Sequence, residues 1–343
     1  MSKTAEPYRD LLCSIRPLSP FLTALQADTV WGMVAWACHW LQGNGSLKLF
    51  ITLQPDGSPP LLISDAFPKG YLPRPRVPIT VQDSRRLLRE RWDERTKEYL
   101  QAMEVVKNWL ARDYLPQEEV HTLLRGGKSA HLELLGRELD SGLARVSEGG
   151  NINLRGEGFR RHNRIDRQRG AALQMHGLYT HREFYHVGQW LMYLRTALPI
   201  EWLRTLFEYV GNNGFGKRAS AGMGRFEILE IRALEEQEAF PKVHDADGFM
   251  TLSSSYVPAD EEPIDRAFYL SHVKRGKLGP GAATAQPGGF LKYPMVMFQA
   301  GSVFSTSTPT RTWFGRLLGN IHRERTEVVH YGFAFPVSGR FFS

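Results

Sequence analysis

The chain has 343 residues, of which 42% are hydrophobic and 23% charged, and this composition excludes a disordered, collagen-like or low-complexity protein. Its 43 lysines and arginines outnumber 36 acidic residues, and the net charge of +7 favours an anionic partner such as nucleic acid or a membrane surface. Cys13 and Cys38 form no zinc-binding or redox motif, so we expect a reducing, cytoplasmic environment. The polar residues 1–10 predict no secretory signal, and the most apolar run, residues 30–41, is too short to span a bilayer.

The first part of the chain is predicted to alternate strands with one buried helix. Asp28 is placed to cap that helix, and Gly43 and Gly45 are placed to end it. Seven prolines between positions 55 and 78 exclude a helix there and predict an extended surface segment. The elements predicted in this part are a strand at 11–16, the helix at 29–42, and strands at 47–53 and 61–64.

The middle of the chain contains two segments that interrupt this alternation. Residues 84–113 carry many charges of both signs and are predicted to form one or two exposed helices, while residues 126–158 are predicted to form a mobile loop or hairpin. Regular elements then return, and they are a strand at 189–195, a helix at 200–209, a glycine-rich loop at 211–224 and a strand at 225–232.

The acidic run at 234–238 marks a boundary, after which the chain is predicted to be mainly strands. They are expected at 249–257, 267–273, 294–304 and 328–336, with a glycine- and proline-rich loop at 277–289 and a short helix at 317–322. The predicted class is α+β, with a split βαβ unit in residues 1–233 that contains insertions at about 54–160. Residues 234–343 are predicted to form a second, degenerate domain of the same kind.

The glycine-rich loop is the most informative segment of the sequence. Glycines allow positive φ, and successive N–H groups in such a loop can bind an anion. Gly211 to Lys217 resembles a nucleotide P-loop, but Arg218 replaces the serine or threonine, and the loop follows a helix rather than a strand. We therefore predict that it holds a phosphodiester backbone, with a flexible surface loop as the alternative. The candidate RNA-binding residues here are Gly214, Gly216, Lys217, Arg218, Ser220, Gly222 and Gly224.

A second candidate site is the arginine-rich segment 155–169. Arginine offers a two-pronged fork for phosphate, and histidine and asparagine can bond base edges or 2′-hydroxyls. We predict that this segment lies beside Lys217 and Arg218 in space, with a solvated charged loop as the alternative. Its candidate RNA-binding residues are Arg160, Arg161, His162, Asn163, Arg164 and Arg167.

Other chemistry-bearing residues support weaker hypotheses. The eleven histidines are dispersed and match no metal-binding motif, so no metal site is expected. His162 and His176 are the candidate acid and base if the protein is instead a metal-independent endoribonuclease. Phe67, Tyr71 and Leu72 in the proline-rich segment are candidates for an apolar subunit interface. The aromatic residues after position 248 alternate with polar residues and are predicted to form core rather than a base-stacking surface.

Several motifs together resemble a known family. Gly-x-Gly-Lys at 214–217, followed by Gly-x-Gly-x-Phe at 222–226, resembles the loop of the RAMP proteins of CRISPR effector complexes. Segments 25–32, 63–75 and 162–167, in this order, and Gly-Ser-Val-Phe at 301–304 narrow the resemblance to the fourth Csm subunits of type III-A interference complexes. The helical insertion at 84–113 matches no motif of that family.

This resemblance implies two ferredoxin-like (RRM-like) RAMP domains with insertions, divided at residues 1–233 and 234–343. It also implies a non-catalytic RNA-binding subunit without cofactor, metal or small-molecule substrate. Such a subunit holds the repeat-derived 5′ tag of the guide RNA, next to the large polymerase-like subunit and the first backbone RAMP subunit.

Overall fold

A computed structural model describes residues 8–54, 57–145, 155–166, 168–172, 177–257, 264–279 and 289–342. The chain divides into two units, one made of Met1–Leu61 with Asn153–Ala233 and the other of Leu62–Ile152 with Leu234–Ser343. The boundary after Ala233 coincides with the acidic run. The inserted segment interrupts the first unit in sequence, but in space most of it belongs to the second.

The regular elements comprise five α-helices and nineteen strands in the described residues. The helices are α1 (Ala27–Ile51), α2 (Val81–Arg89), α3 (Lys97–Leu110), α4 (Gln117–Arg145) and α5 (Ile200–Asn213). The strands are β1 (Arg9–Pro17), β2 (Leu61–Ile63), β3 (Phe67–Pro68), β4 (Tyr71–Pro73), β5 (Tyr114–Pro116), β6 (Arg155–Asn163), β7 (Ile165–Asp166), β8 (Ala171–Ala172), β9 (Leu178–His186), β10 (Trp190–Thr196), β11 (Phe226–Ala233), β12 (Gly248–Thr251), β13 (Ala267–Phe268), β14 (Ser271–Lys274), β15 (Met295–Phe298), β16 (Val303–Ser305), β17 (Leu317–Leu318), β18 (His330–Tyr331) and β19 (Pro336–Gly339).

The first unit is built on a sheet with strand order β11-β1-β10-β2, in which β2 starts at the last residue of the unit. β1 pairs antiparallel with both β10 and β11, and its buried residues Cys13 and Ile15 lie in the core. Burial raises the pKa of the Cys13 thiol to about 12. Helix α5 buries Leu203, Leu206, Phe207 and Val210, as its spacing predicts. With β10 between β1 and β2, this is the predicted split βαβ order.

Helix α1 differs from its prediction at both ends. Asp28 is not the cap but a buried residue of the first turn, and the helix starts after Gln26. Gly43, at φ 81°, interrupts the helix without ending it, so the strand predicted at 47–53 is wrong. The second part of α1 stays helical because Phe50 packs against the rings of Trp31 and Trp202, at 5.4 and 6.2 Å between ring centroids.

Two helices, α2 and α3, form in the charged segment, as predicted. Thr80 caps α2 reciprocally with Asp83, and the Lys128 ammonium and Thr80 lower the pKa of the Asp83 carboxyl to about 2. The prediction that these helices are exposed is wrong for one face of α3, because Trp109 and other side chains on that face are buried against α4.

Helix α4 occupies much of the segment predicted as a mobile loop or hairpin, so that prediction is wrong for residues 126–145. Gly127, at φ 52°, breaks the helix as its sequence suggests, but the helix resumes after it. Leu134, Leu135 and Leu139 then recur at helical spacing and are buried. The remaining residues, 146–154, lie outside the described part of the chain.

The described part of the proline-rich segment, residues 57–78, is mostly buried rather than a surface excursion, so the surface prediction is wrong there. Leu61, Leu62 and Ile63 are inaccessible to solvent, and β4 pairs antiparallel with β5 so that Leu72 faces Leu115. Prolines at strand ends leave short extended stretches between them, and these stretches contribute apolar side chains to the core.

The second unit contains a four-stranded sheet of order β13-β16-β12-β19, with all pairs antiparallel. If the four strands of this sheet are renumbered 1 to 4 along the chain, their order across the sheet is 2-3-1-4. The first sheet, renumbered in the same way and read from β2 to β11, has the same order. The fold is thus α+β with two sheets of the same strand order, as predicted. Residues 306–335, which connect β16 to β19, contain no α-helix, and this absence makes the second copy degenerate.

Aromatic residues form much of the second core, as predicted, but Tyr269 is 52% exposed and is not part of that core. The Phe249 ring stacks on Phe304 and Phe314, at 5.3 and 3.9 Å, and Phe333 and Phe335 are also buried. The short helix predicted at 317–322 is wrong, because Leu317 and Leu318 pair as β17 with β18. Residues 280–288 of the predicted loop lie outside the described part of the chain. Among the described residues, no helix is both long and apolar enough to cross a bilayer.

Candidate nucleic-acid interface

The glycine-rich loop joins α5 to β11 and is held by its own backbone. The Phe215 N–H donates to the Gly224 carbonyl at 2.9 Å, and the Gly224 N–H donates to the Pro20 carbonyl at 2.8 Å. A Cβ on Gly224 would lie 2.2 Å from the Phe215 carbonyl oxygen, and one on Gly216 would lie 2.6 Å from the Thr23 side chain. The loop is therefore a fixed turn between a helix and a strand, which disfavours both the flexible-loop and the P-loop alternatives.

Backbone hydrogen bonding narrows the anion-binding part of this loop. The N–H groups of residues 215, 217 and 221–224 donate to protein oxygens, so they are not free for phosphate. A single 3₁₀ turn, Ala219–Ala221, follows Arg218, which adopts a left-handed φ of 62°. We expected the backbone of the whole glycine loop to hold phosphate, and this expectation is corrected. An anion can be bound only at the start of this turn, where Arg218 and exposed Ser220 lie. Gly214, Gly222 and Gly224 shape the turn.

The two cations of the loop have different surroundings. Lys217 is exposed, and its backbone N–H donates to Thr23 Oγ1 at 3.0 Å. Arg218 is half-buried, and its Nη2 donates to the phenol oxygen of Tyr179 at 2.7 Å. The Arg218 Cζ also lies 5.6 Å from the centroid of the Tyr179 ring. Arg218 is thus fixed against an aromatic ring, whereas the Lys217 side chain extends into solvent.

Tyr179 belongs to a hairpin formed by β6 and β9, in which His162 lies directly opposite it. The His162 ring stacks on Tyr179 at 5.3 Å with an interplanar angle of 17°, and His181 meets both rings edge-on. The Arg164 Cζ lies 5.7 Å from the Tyr179 centroid. We call these four residues together with Arg218 the Tyr179 cluster, so its members are His162, Arg164, Tyr179, His181 and Arg218. The prediction that the arginine segment lies beside the glycine loop is confirmed.

The electrostatics of the cluster are those of a cationic site. Burial lowers the pKa of His181 below its usual value, and the nearby charges of Arg218 and Lys217 lower it further. Glu183, which is buried on the same strand, acts in the opposite direction but less strongly. His181 is therefore neutral near pH 7, and the fixed positive charge comes from the arginines and Lys217.

Three other predicted RNA-binding residues, Arg160, Arg161 and Asn163, are on β6 but are not part of the Tyr179 cluster. Arg160 pairs with buried Glu183 at 2.9 Å, and its hydrogen bond to Tyr185 together with this carboxylate raises its pKa, so its charge is partly neutralised within the hairpin. Strand alternation places Arg161 and Asn163 on the face opposite His162, so they are not part of the Tyr179 cluster. Arg167 lies outside the described residues.

Tyr179 and His181 are functional candidates that sequence reasoning missed. They alternate with Glu183 and Tyr185 along β9, so period two could have shown that these side chains share one face. Pairing Tyr179 with His162, however, requires the register of a hairpin whose turn contains residues outside the described part of the chain.

The predicted apolar interface residues are corrected by their burial. Phe67 is 1% exposed with its ring against Tyr114, and Leu72 is fully buried, because both belong to the second unit's core. Only Tyr71 is partly accessible. Exposed apolar side chains lie instead on and beside the β6–β9 hairpin of the first unit, where Phe159 is 72% and Leu178 75% exposed.

The alternative catalytic pair is only partly described. His176 lies outside the described residues, whereas His162 is engaged in the stack with Tyr179. In the described part of the chain, no three histidine, cysteine or acidic side chains are grouped closely enough to hold a metal ion.

The geometry defines an α+β fold whose two sheets share one strand order, with a cationic, aromatic site at the glycine loop. Neither a family model nor a curated protein matches the chain. Solved structures match over nearly its whole length. A Csm4 chain in the crystal structure of a Csm1–Csm4 cassette with AMPPNP has a TM-score of 0.54 and 16% identity, covering 98% of this chain and 100% of that one.

A similar fold is found for Csm4 in a second assembly. In the crystal structure of the Csm3–Csm4 subcomplex of the type III-A CRISPR-Cas interference complex, the TM-score is 0.53 at 15% identity, with 98% and 100% of the two chains covered. The cassette with cA4 gives a TM-score of 0.51 at 15% identity, covering 97% and 99%. The chain therefore has the Csm4 fold, and the resemblance inferred from its motifs is confirmed at that level.

Proposed function

We propose that this chain is a non-catalytic RNA-binding subunit of a type III-A CRISPR interference complex and that it anchors the 5′ repeat-derived tag of the guide RNA. The observation that carries the proposal is the Tyr179 cluster, in which Arg218 of the glycine loop bonds the ring that stacks on His162. The Csm4 fold supports the assignment to this class of complex.

Single-stranded RNA offers phosphates and unstacked bases, and the cluster supplies a group for each. Lys217 extends beside the loop to neutralise phosphate, while Arg218 and Arg164 lie over Tyr179. The aligned rings of His162 and Tyr179 offer a surface on which a base can stack. Because Arg218 is fixed by its bond to Tyr179, little side-chain entropy is lost when RNA binds.

The same proposal assigns protein partners. The matching solved structures are of Csm4 with Csm1 and of Csm4 with Csm3. We accordingly propose that this chain joins a large polymerase-like subunit to the backbone RAMP subunit, and that the RNA passes along it between those partners.

The experiment is affinity purification of the tagged chain from cells that express its complex, followed by ultraviolet cross-linking and mass spectrometry. We expect a short RNA with one defined 5′ end to co-purify, together with both partner subunits, and cross-links to form at Tyr179 or Lys217. RNA cross-linked only elsewhere, or recovery of the partners without RNA, would contradict the proposal.

An endoribonuclease is the second candidate, because the His162 and His181 rings lie 5.0 Å apart beside cationic side chains. Two histidines at this distance can act as acid and base on a ribose 2′-hydroxyl without a metal. The aligned stack of His162 on Tyr179 favours binding over catalysis. Incubation with end-labelled repeat RNA separates the two: intact bound RNA supports the scaffold, and discrete cleavage lost in His162→Ala supports the enzyme.

A further inference from the structure

The second unit contains a cleft of about 520 Å³ that the proposed function does not use. Its lining includes Arg74 and Arg76 together with Phe268 and Tyr269. Leu110 and neighbouring apolar side chains complete the wall. The cleft thus places two guanidinium groups and two aromatic rings around one open space.

The two arginines of the cleft are largely buried but have few hydrogen-bonding or ion-pair partners. Arg74 is only 8% exposed, and within the described residues its guanidinium donates no hydrogen bond; its Nε is fully enclosed. Its contact is the Trp109 ring, 5.4 Å from Cζ. Arg76 is close enough to repel it, and burial together with this repulsion lowers the Arg74 pKa to about 10. Buried guanidinium groups are normally paired with an anionic group, so the burial of Arg74 favours the binding of an anion in the cleft.

The Asp113 carboxylate would compete with an anionic ligand for the two arginines, but it does not satisfy all of their hydrogen-bond donors. Asp113 Oδ1 accepts from Arg76 Nη2 at 3.0 Å, but the Asp113 side chain is 73% exposed and Arg76 Nε has no partner. Two cations therefore face one largely exposed carboxylate. The pair keeps a net positive charge within the cleft.

The backbone holds the arginines in place. The Arg74 N–H donates to the Asp113 carbonyl at 3.0 Å, and the Arg76 N–H donates to the Gly301 carbonyl at 2.9 Å. Gly301 has φ 90°, and a Cβ on it would lie 2.5 Å from the Arg74 carbonyl oxygen. These contacts fix the backbone positions from which the two charged side chains extend.

The aromatic part of the lining suits a planar, partly apolar group. Tyr269 is 52% exposed, and its ring meets Phe298 edge-on at 4.8 Å, which leaves part of the ring accessible. Paired guanidiniums bind a phosphate through their forks, and an exposed aromatic ring binds a base by stacking. An acidic peptide would use the arginines but would gain little from the aromatic wall.

We propose that this cleft binds a nucleoside phosphate, with the phosphate on Arg74 and Arg76 and the base against Tyr269. The nucleoside phosphate is either a free nucleotide or the end of an RNA strand. The proposal goes beyond the function proposed above, since it uses only residues of the second unit.

The test is calorimetric titration of the full chain with AMP, adenosine and inorganic phosphate. We expect AMP to bind more tightly than either fragment. Arg76→Gln should weaken AMP binding about tenfold, as loss of one charged hydrogen-bonding group does. Asp113→Asn should tighten it about threefold, because it removes the competing carboxylate, and misfolding cannot produce a gain. Arg323→Gln, an exposed arginine that does not line the cleft, should leave binding unchanged.

A 5′-phosphorylated tetraribonucleotide distinguishes the two sources of the ligand. It is titrated into the Lys217→Glu, Arg218→Glu chain, which lacks the two cations of the glycine loop. Competition with AMP supports a strand end as the ligand, and no competition supports a free nucleotide. Equal binding of adenosine and AMP, or no change in Arg76→Gln, overturns the proposal. So does a glutamate-rich peptide that binds where AMP does not. None of these results bears on RNA held by the Tyr179 cluster.

Discussion

The two units share a strand order but use the connection before their last strand differently. In the first, α5 leads into the glycine loop, which presents Lys217 to solvent and fixes Arg218 on Tyr179. In the second, residues 306–335 take the same topological place and form a β17–β18 pair instead of a helix. Phe314 and Phe333 of this connection are buried in the core.

Glycine serves different purposes in the two connections. Gly315, at φ 80°, lies where a Cβ would meet the Tyr256 and Gly332 carbonyl oxygens at 2.4 and 2.5 Å, so it allows close backbone packing. The glycine loop of the first unit also packs tightly at Gly224 but directs its cations outward. The same strand order is therefore compatible with a core-forming and a ligand-facing connection, and function depends on the site rather than on the fold.

The largest effect should come from reversing the charges of the first connection. Lys217→Glu with Arg218→Glu should weaken guide-RNA binding by at least about 100-fold, since each lost charged contact is worth about 1.5–3 kcal/mol. The thermal midpoint should hardly change, because Lys217 is exposed and Arg218 bonds only a half-exposed ring. Filter binding at several salt concentrations should also show a salt slope smaller by about 0.7 per lost phosphate contact.

The matched control is Arg323→Glu with Arg325→Glu, which makes the same change of charge in the second connection. We expect a change in affinity of about threefold or less, from long-range electrostatics alone. An equal loss in both variants would mean that RNA responds to net charge, and the proposed difference between the connections would not hold.

A second test uses the glycines that shape the first connection. Gly224→Ala should cost about 2–4 kcal/mol of unfolding free energy, because its Cβ would overlap the Phe215 carbonyl oxygen and its φ is 72°. Gly222→Ala has a similar φ of 80° but open space around it, so the cost should be about 1 kcal/mol. Urea unfolding compares them, and equal costs would show that the loop relaxes around an added methyl group.

The third test concerns the aromatic ring. Tyr179→Ala should weaken RNA binding about tenfold, since a base–aromatic stack contributes about 1–3 kcal/mol. Tyr179→Phe keeps the ring and loses only the bond from Arg218, so a loss of about threefold or less is expected. Fluorescence anisotropy with a labelled tag oligonucleotide measures both. A larger loss in the phenylalanine variant would assign the role to the hydroxyl group and not to stacking.

Sequence reasoning predicted the first connection better than the elements around it. The glycines from Gly214 to Gly224 interrupt regular structure between a helix and a strand, and both of these elements have clear hydrophobic periodicity. The position of the loop therefore follows from its neighbours in sequence. The contact between Arg218 and Tyr179 depends on the pairing of β6 with β9, which no local pattern specifies. The sequence could therefore locate the site but not its central ring.

The failures in the second unit have a different physical cause. Leu62, Ile63 and α4 are stabilised by burial in a core assembled from distant segments, and that burial outweighs the local effect of prolines and of Gly127. Residues 62–152 interrupt the first unit in sequence, so their grouping with residues 234–343 also lies beyond pattern analysis.

The smallest effect should be a dependence of RNA binding on pH through His181. Its pKa is lowered by burial and by Arg218, His162 and Lys217, so the free chain carries a neutral ring at pH 7. Bound phosphate would favour the protonated ring, and affinity should rise as pH falls from 7.5 to 5.5, by less than about tenfold. Stability should change in the opposite direction, because the unfolded chain takes up this proton at a higher pH than the folded chain does.

These opposite signs make the result specific. His181→Asn should abolish the rise in affinity and reduce the loss of stability, whereas His244→Asn, an exposed histidine of the second unit, should change neither. Anisotropy titrations and thermal unfolding at the same pH values measure the two quantities. If the His181 variant kept the full rise, the proton would be taken up outside β9, and His181 would have no part in holding the RNA.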